Sequence, residues 1–322
     1  MKATAVAHPI QGLVKYHGLK DPKLRIPFHD SISVCVKALC TITTVETDRT
    51  LRQDSVVVNG RRLVKRDLER AKAVLNGLRD AAGYSGYFRV ESENSIREGK
   101  GLGFSASGFA ALGAAVCEAL GLDLDPTSLS EIVRLGAGSA TRSLAGGFAM
   151  WYANKRGRSY AEQLAGPEAV DLAIVIVPIP SAVKTDEAHA EVLSSPLFSA
   201  RLKRVGKTVE TMKRAIEEGR IPTIGRLAEE DSLDLHAITM TGKSHMILWE
   251  PETIRIIREV VKMRRGGIPA WYSIDTGPSV FINTPLSHMK EVASRLRKAG
   301  FKKVVVCSRV GGKPSISDEH LF

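Results

Sequence analysis

The chain has 322 residues, of which 43% are hydrophobic and 25% charged, and it is long enough for two cores; that composition excludes a disordered or low-complexity protein. The net charge of +11 suits anionic partners such as nucleotides and small phosphates, but the basic clusters at 262–265 and 295–303 lack the interleaved aromatics of a base-stacking surface, so no nucleic-acid partner is expected. Four cysteines without a Cys-x-x-Cys pair, no apolar leader and no apolar run approaching ~20 residues predict a soluble cytoplasmic protein without a disulfide framework, a zinc site or a membrane span.

In chain order, Ile32, Val34 and Val36 alternate with smaller or polar residues, a strand pattern. Residues 55–58, Asn59-Gly60 and 61–64 read as a hairpin with a type I′ turn. A helix follows, with Leu68, Ala71, Leu75 and Leu78 on one stripe and Gly83 at its end. Residues 87–91 read as a strand. The glycine-rich stretch 96–108 opens into a helix that is apolar nearly all round, which predicts burial. Ser128 and Glu131 form a capping-box pattern for the next helix. The run 170–178 is continuously apolar, as in a strand buried on both faces or at a domain seam. The prolines at 178 and 180 suggest a boundary there, with one domain over 1–179 and another over 180–322. Two longer helical segments come next, then an amphipathic helix over 253–263. After these come a strand, a Gly-Pro turn and a second strand over 271–282, a helix marked by Met289, Val292 and Leu296, and a final strand at 303–307. The second half reads as a compact α+β sandwich.

The segment Lys100-Gly101-Leu102-Gly103-Phe104-Ser105-Ala106-Ser107-Gly108 lies between a strand and the buried helix. Glycines let backbone curl around phosphates, and a helix N-terminus offers free N–H groups and partial positive charge. Ser105 and Ser107 add hydroxyls for phosphate oxygens or Mg²⁺. The segment is neither a Walker A loop nor Gly-x-Gly-x-x-Gly. Taken alone, it equally fits a flexible loop capped by serine.

This loop resembles the nucleotide loop of GHMP kinases, Pro-x-x-x-Gly-Leu-x-Ser-Ser-Ala, at Gly101, Leu102, Ser105 and Ala106; Arg97 stands where the proline usually lies and Phe104 replaces the first serine. Lys15-Tyr16-His17-Gly18-Leu19-Lys20-Asp21 and Pro27-Phe28-His29-Asp30-Ser31-Ile32-Ser33-Val34 resemble the substrate segment of diphosphomevalonate decarboxylases, although Ile10, next to Gln11, replaces a usual asparagine. Gly138-Ser139-Ala140-Thr141-Arg142-Ser143-Leu144-Ala145-Gly146-Gly147 is similar to that family's Gly-Ser-Ala-Cys-Arg-Ser-Leu-x-Gly-Gly, and Ser273-Ile274-Asp275-Thr276-Gly277-Pro278-Ser279 to its Phe-Asp-Ala-Gly-Pro-Asn. Asp231-Ser232 with His236-Ala237 also matches. Singly, Lys15 could be a solvated edge residue, Arg142 half of a surface ion pair and Asp275 a turn residue. The ordered set is more specific than any member.

The resemblance implies an α+β, two-domain GHMP-kinase fold, with a left-hand N-terminal α/β domain and a ferredoxin-like C-terminal α+β domain carrying the catalytic Asp. It implies that ATP, with Mg²⁺, phosphorylates a tertiary 3-hydroxyl, after which phosphate and CO₂ leave. Asp275 would orient or deprotonate the hydroxyl. Lys15 would neutralise the moving phosphoryl group or hold Asp275, and Arg142 would bind the substrate carboxylate with its planar fork. Lys100, Gly101, Leu102, Gly103, Ser105, Ala106 and Ser107 would hold the nucleotide, with Ser105 also on the metal. Tyr16, His17, Lys20 and Ser139 would join Arg142 around the phosphorylated substrate.

Relatives that only phosphorylate tend to lack the Asp and Lys pair, so the full decarboxylation is expected. Diphosphate-specific members usually carry Trp and Lys where this chain has His17 and Leu19. One cation fewer favours a monophosphate, and Lys-Tyr-His-Gly-Leu resembles phosphomevalonate decarboxylases of the alternative mevalonate route. Arg66 aligns only loosely with a diphosphate-binding arginine. The expected reaction is therefore mevalonate 5-phosphate to isopentenyl phosphate. The alternatives are a diphosphomevalonate decarboxylase, a 3-kinase without decarboxylation, a catalytically dead relative with a structural role and, from another class, a basic RNA-binding module. Family members are often homodimers, so a homodimer is expected.

Overall fold

A six-stranded sheet opens the architecture, in the order Ser315–Ser317, Lys2–Ala7, Thr41–Asp48, Tyr87–Asn94, Ser55–Val58, Arg61–Arg62. The computed structural model describes residues 1–96, 101–180, 185–301 and 305–322. Neighbouring strands are antiparallel except Ser55–Val58 beside Tyr87–Asn94. In Tyr87–Asn94 the inward residues Phe88, Val90 and Ser92 are buried while Tyr87 and Arg89 face out, the period of two that sheet geometry imposes. Asn59 (φ 51°) and Gly60 (φ 74°) make the predicted hairpin turn.

Of the helices α1 (Lys65–Ala82), α2 (Phe104–Leu120), α3 (Pro126–Gly136) and α4 (Ala140–Ala145), α2 lies along the inner face of this sheet and the other three pack against α2. Val74, Leu75 and Leu78 of α1 and Leu112, Ala115 and Val116 of α2 meet Ala3, Ala5, Val45, Phe88 and Val90 of the sheet. Each fully buried Val, Leu or Phe in such a cluster contributes about 1.5–3 kcal/mol. The capping box expected at Ser128 and Glu131 does not form. Pro126 occupies the first helical position of α3, and the Asp125 carboxylate accepts from Thr127 and Ser128 N–H, both at 3.0 Å. An aspartate directly before proline is the stronger start signal. Glu131 instead pairs with Arg158 at 2.7 Å.

Two four-stranded antiparallel sheets follow, beside a two-stranded one of Leu19–Asp21 and Ile26–Pro27. One runs Ala161–Ala165, Phe148–Trp151, Ser31–Cys35, Ile10–Val14; the other runs Trp271–Ser273, Val280–Pro285, Leu172–Val177, Val306–Arg309. After the short α5 (Thr185–Glu191), the long helices α6 (Phe198–Glu217) and α7 (Ile221–Met240) lie between them. Leu13, Val14, Ile32 and Val34 share a core with Val209, Met212, Ile224 and Leu227, and with Ile174, Ile176 and Trp271. The opposite face of the last sheet is closed by α8 (Pro251–Arg265) and α9 (Met289–Lys298), through Ile256, Val260, Val292 and Leu296 against Val175, Val177 and Ile282. All six residues of Leu172–Val177 are buried, as a strand covered on both faces must be.

The strand expected at 303–307 is Val306–Arg309; Lys303 lies outside the described residues. A further strand, Ser315–Ser317, returns to pair with Lys2–Ala7, Thr4 opposite Ser317. Among the described residues, no helix is long and apolar enough to cross a membrane.

Candidate active site

Strand Ile10–Val14 carries a glycine where the two halves of the chain meet. Gly12 N–H donates to both carboxylate oxygens of Asp275, at 3.0 and 3.1 Å. A Cβ on Gly12 would lie 2.7 Å from Lys15 Cγ and 3.0 Å from Asp275 Oδ1, so only glycine lets the two side chains share this place. Asp275 follows strand Trp271–Ser273 and is half-buried. Burial pushes its carboxyl up from 3.8 to about 6, against the downward pull of Lys15, the Gly12 N–H and Arg142; Asp231 adds to the rise.

Lys15 is buried. Its Nζ donates to Ser273 Oγ (2.9 Å) and the Ala228 carbonyl (3.4 Å) and stands 3.9 Å from Asp231 Oδ2. Burial lowers its pKa, while the charges of Asp231 and Asp275 oppose the fall. Arg142, on α4, is also buried. Its Nη1 donates to Ser31 Oγ at 2.6 Å, and its guanidinium carbon lies 5.2 Å from the Tyr16 ring centre and 5.7 Å from that of Trp151. Burial lowers the pKa of this group too. Among the described residues its Nε has no hydrogen-bond partner.

Gly12, Lys15, Arg142 and Asp275 line one cleft of about 580 Å³. One end is the glycine loop. Gly101 (φ 74°) and Gly103 (φ 76°) are left-handed, and a Cβ on Gly101 would come 2.5 Å from the Gly277 carbonyl oxygen. The loop is thus seated directly on the turn that follows Asp275. Among the described residues no side chain caps the N-terminus of α2, whose first turn carries the exposed Ser105. A helix N-terminus, a glycine cradle and an exposed hydroxyl fit a phosphate chain with its divalent cation. Leu102 also lines the cleft. Ala106 and Ser107 are buried behind it and do not line it; the Ser107 hydroxyl is 2.7 Å from that of Thr41. Arg97 and Lys100 lie outside the described residues.

The other end holds Tyr16, His17 and Ser139, together with Arg25, Arg66, Arg70 and His189. The Tyr16 ring meets Trp151 edge-on at 4.7 Å and stacks on His189 at 4.9 Å. The His17 ring lies 4.5 Å from that of His189, and burial with this neighbour holds its pKa well below the usual value, so His17 is neutral. Lys20 is exposed on the short strand Leu19–Asp21 and is not part of the cleft wall. Sequence reasoning missed Gly12, Arg25, Ser31, Arg70, His189 and Ser273. Ser31 and Ser273 stood inside segments that carry the family resemblance but had no role assigned to them, and a lone glycine in a strand pattern was the signal for Gly12.

Comparison with known proteins covers both halves of the chain. Residues 7–161 match the diphosphomevalonate decarboxylase-like N-terminal domain, and residues 182–316 the mevalonate 5-diphosphate decarboxylase C-terminal domain. The chain belongs to the diphosphomevalonate decarboxylase family. Within this family it is 40% identical to the phosphomevalonate decarboxylase of Haloferax volcanii, over 99% of this chain and 98% of that protein. It is 30% identical to the diphosphomevalonate decarboxylase of Candida albicans, over 92% and 88%. A solved structure of MDDEF in complex with MVAPP, AMPPCP and magnesium superposes with a TM-score of 0.91 at 28% identity, covering 99% of each chain. The decarboxylase family's α+β GHMP-kinase fold is therefore the fold of this chain.

Proposed function

We propose that the protein catalyses the ATP-dependent decarboxylation of (R)-mevalonate 5-phosphate, giving isopentenyl phosphate, ADP, phosphate and CO₂. The observation that carries this reading is the meeting of Asp275 and Lys15 at Gly12, in a cleft that Arg142 also lines and that begins at the N-terminus of α2. The full-length likeness to the Haloferax volcanii protein supports the monophosphate. So does the charge along Tyr16–Lys20, where His17 is neutral and Lys20 is exposed and does not line the cleft.

The Asp275 carboxylate, ionised above about pH 6, takes the hydrogen bond and then the proton of the 3-hydroxyl. The freed oxygen attacks the γ-phosphorus of ATP, the new O–P bond forming as the bond to ADP breaks. Lys15 supplies positive charge beside the developing negative charge. Ser105, exposed in the first turn of α2, would help hold Mg²⁺, which would supply positive charge to the phosphate oxygens. Arg142 grips the carboxylate through both oxygens and keeps it from leaving early. The C3–O bond then breaks with its electrons on the departing phosphate. The C1–C2 pair becomes the C2–C3 double bond, and CO₂ is released. The hydroxyl proton passes from Asp275 to phosphate or water, which restores the base.

The test is product analysis by mass spectrometry after incubation with ATP, Mg²⁺ and either mevalonate, its 5-phosphate or its 5-diphosphate. The expected result is isopentenyl phosphate with CO₂, and a kcat/KM about tenfold or more higher for the monophosphate. An equal margin for the diphosphate would assign the diphosphate reaction instead. A phosphorylated product without CO₂ would make the protein a kinase. The protein is further read as a cytoplasmic homodimer, which light scattering of the purified chain and localisation of a tagged copy would test.

A further inference from the structure

One face of α7 touches both members of the Lys15–Asp275 pair from behind. Asp231 Oδ2 accepts the backbone N–H of Lys15 at 2.7 Å. Arg201, from α6, donates through Nη2 to Asp231 Oδ1 at 2.9 Å and to the Lys15 carbonyl at 2.7 Å. A buried ion pair thus holds both backbone polar groups of Lys15 just where strand Ile10–Val14 ends. The Ala228 carbonyl receives the lysine Nζ. One turn on, Ser232 Oγ accepts Ile274 N–H at 3.0 Å. A further turn on, His236 Nε2 donates to the Asp275 carbonyl at 3.0 Å. Residues 228, 232 and 236 fall at i, i+4 and i+8, one ridge of a helix, with Asp231 beside them.

We infer that α7 is the rigid template that fixes the spacing between Lys15 and Asp275, with Asp231, Arg201 and His236 as positioning residues of the reaction. This rests on the reading of Lys15 and Asp275 as the reacting pair. Neither residue is held by its own loop alone. Lys15 comes from the N-terminal half and Asp275 from the C-terminal half, and α7 bonds both, so a small shift of either against the other is resisted by one hydrogen-bonded helix. Transition-state stabilisation depends steeply on such placement. His236 is well suited to the task. Burial and the Lys15 charge hold its pKa down at about 3, so it stays neutral, and its bond to a carbonyl puts the proton on Nε2.

The charges are arranged to the same end. Lys15, Asp231, His236, Arg142 and the Gly12 N–H surround Asp275, and Asp231, Asp275, Arg201 and Arg142 surround Lys15. Removing the Asp231 charge lowers the pKa of Asp275 and that of Lys15 together. A purely structural residue would not move both limbs of a pH profile.

The test compares His236→Leu, His236→Gln, Asp231→Asn and Asp275→Asn in the full-length protein, with ATP, Mg²⁺ and mevalonate 5-phosphate. In His236→Leu, kcat is expected to fall about thirtyfold with KM within about threefold, and His236→Gln, whose amide replaces the Nε2–H, should recover most of it. In Asp231→Asn, kcat should fall about a hundredfold and both limbs of the kcat/KM profile should move acidward by about half a pH unit or more. Should Asp231→Asn not fold, the two His236 variants decide alone. Equal kcat in His236→Leu and wild type, or equal losses in His236→Leu and His236→Gln, overturns the template while Asp275→Asn remains inactive. An active Asp275→Asn would instead overturn the underlying reading of the pair.

Discussion

Gly12 lies against Lys15 so closely that a methyl group on the glycine would come within 2.7 Å of the lysine Cγ. Gly12→Ala is therefore expected to keep the fold and ATP affinity while pushing Lys15 and Asp275 apart. A loss of about a hundredfold in kcat follows from a displacement of about 1 Å. Steady-state kinetics with an unchanged melting curve would check it, and wild-type kcat in this variant would remove the contact from the mechanism.

If Asp275 is the base, its raised carboxyl should set the acid side of the pH profile. Below about pH 6, kcat/KM should fall about tenfold per unit as the base is protonated. Stability runs the other way. A carboxyl whose folded pKa exceeds its ordinary 3.8 favours the fold when protonated; that gain is complete below 3.8 and lost as the pH rises through about 6. Asp275→Asn should then be more stable than wild type at about pH 8, by on the order of 2 kcal/mol, and level with it near pH 4. Denaturant titrations at the two pH values measure the difference.

Arg142 is buried between Ser31 and two aromatic rings and lines the cleft. Arg142→Lys keeps a charge but loses the paired donors. It should lower kcat/KM for mevalonate 5-phosphate by about a hundredfold at unchanged ATP affinity. Equal kcat/KM in the two proteins would show that a point charge suffices there.

The two serines of the glycine loop should separate function from stability. Ser105→Ala is expected to lower kcat about tenfold with little change in melting temperature, since its hydroxyl is exposed at the helix N-terminus. Ser107→Ala should leave kcat alone and cost about 1–2 kcal/mol, because its hydroxyl is buried against Thr41. The opposite pattern would exchange their roles.

Much of the site was legible because its parts are local in sequence. The Gly101–Ser105 stretch points to a phosphate cradle through its resemblance to the GHMP-kinase loop, and the segments around Lys15, Arg142 and Asp275 carry their resemblance in contiguous residues. Arg201, His189 and Arg70 had no such context. Arg201 acts on Lys15 across 186 positions, and His189 meets Gly18 across 171. Neither spacing leaves a periodic trace. Ser107 looked like a ligand because the loop was read as a string; the helix that starts at Phe104 turns it inward. The short polar strand Ser315–Ser317 escaped notice because two of its three residues face solvent and it alternates nothing apolar.

That last strand and Leu172–Val177 lie on opposite sides of the molecule's seam from their neighbours in sequence. Ser315–Ser317 extends the sheet begun by Lys2–Ala7, and Leu172–Val177 sits between Val280–Pro285 and Val306–Arg309. A gene split near codon 180 would give a first product with a bare apolar strand and an uncovered outer sheet edge. The second product would lack the middle strand of its own sheet. Such halves would have to be made side by side and anneal as complements, because neither could hide its exposed edges alone.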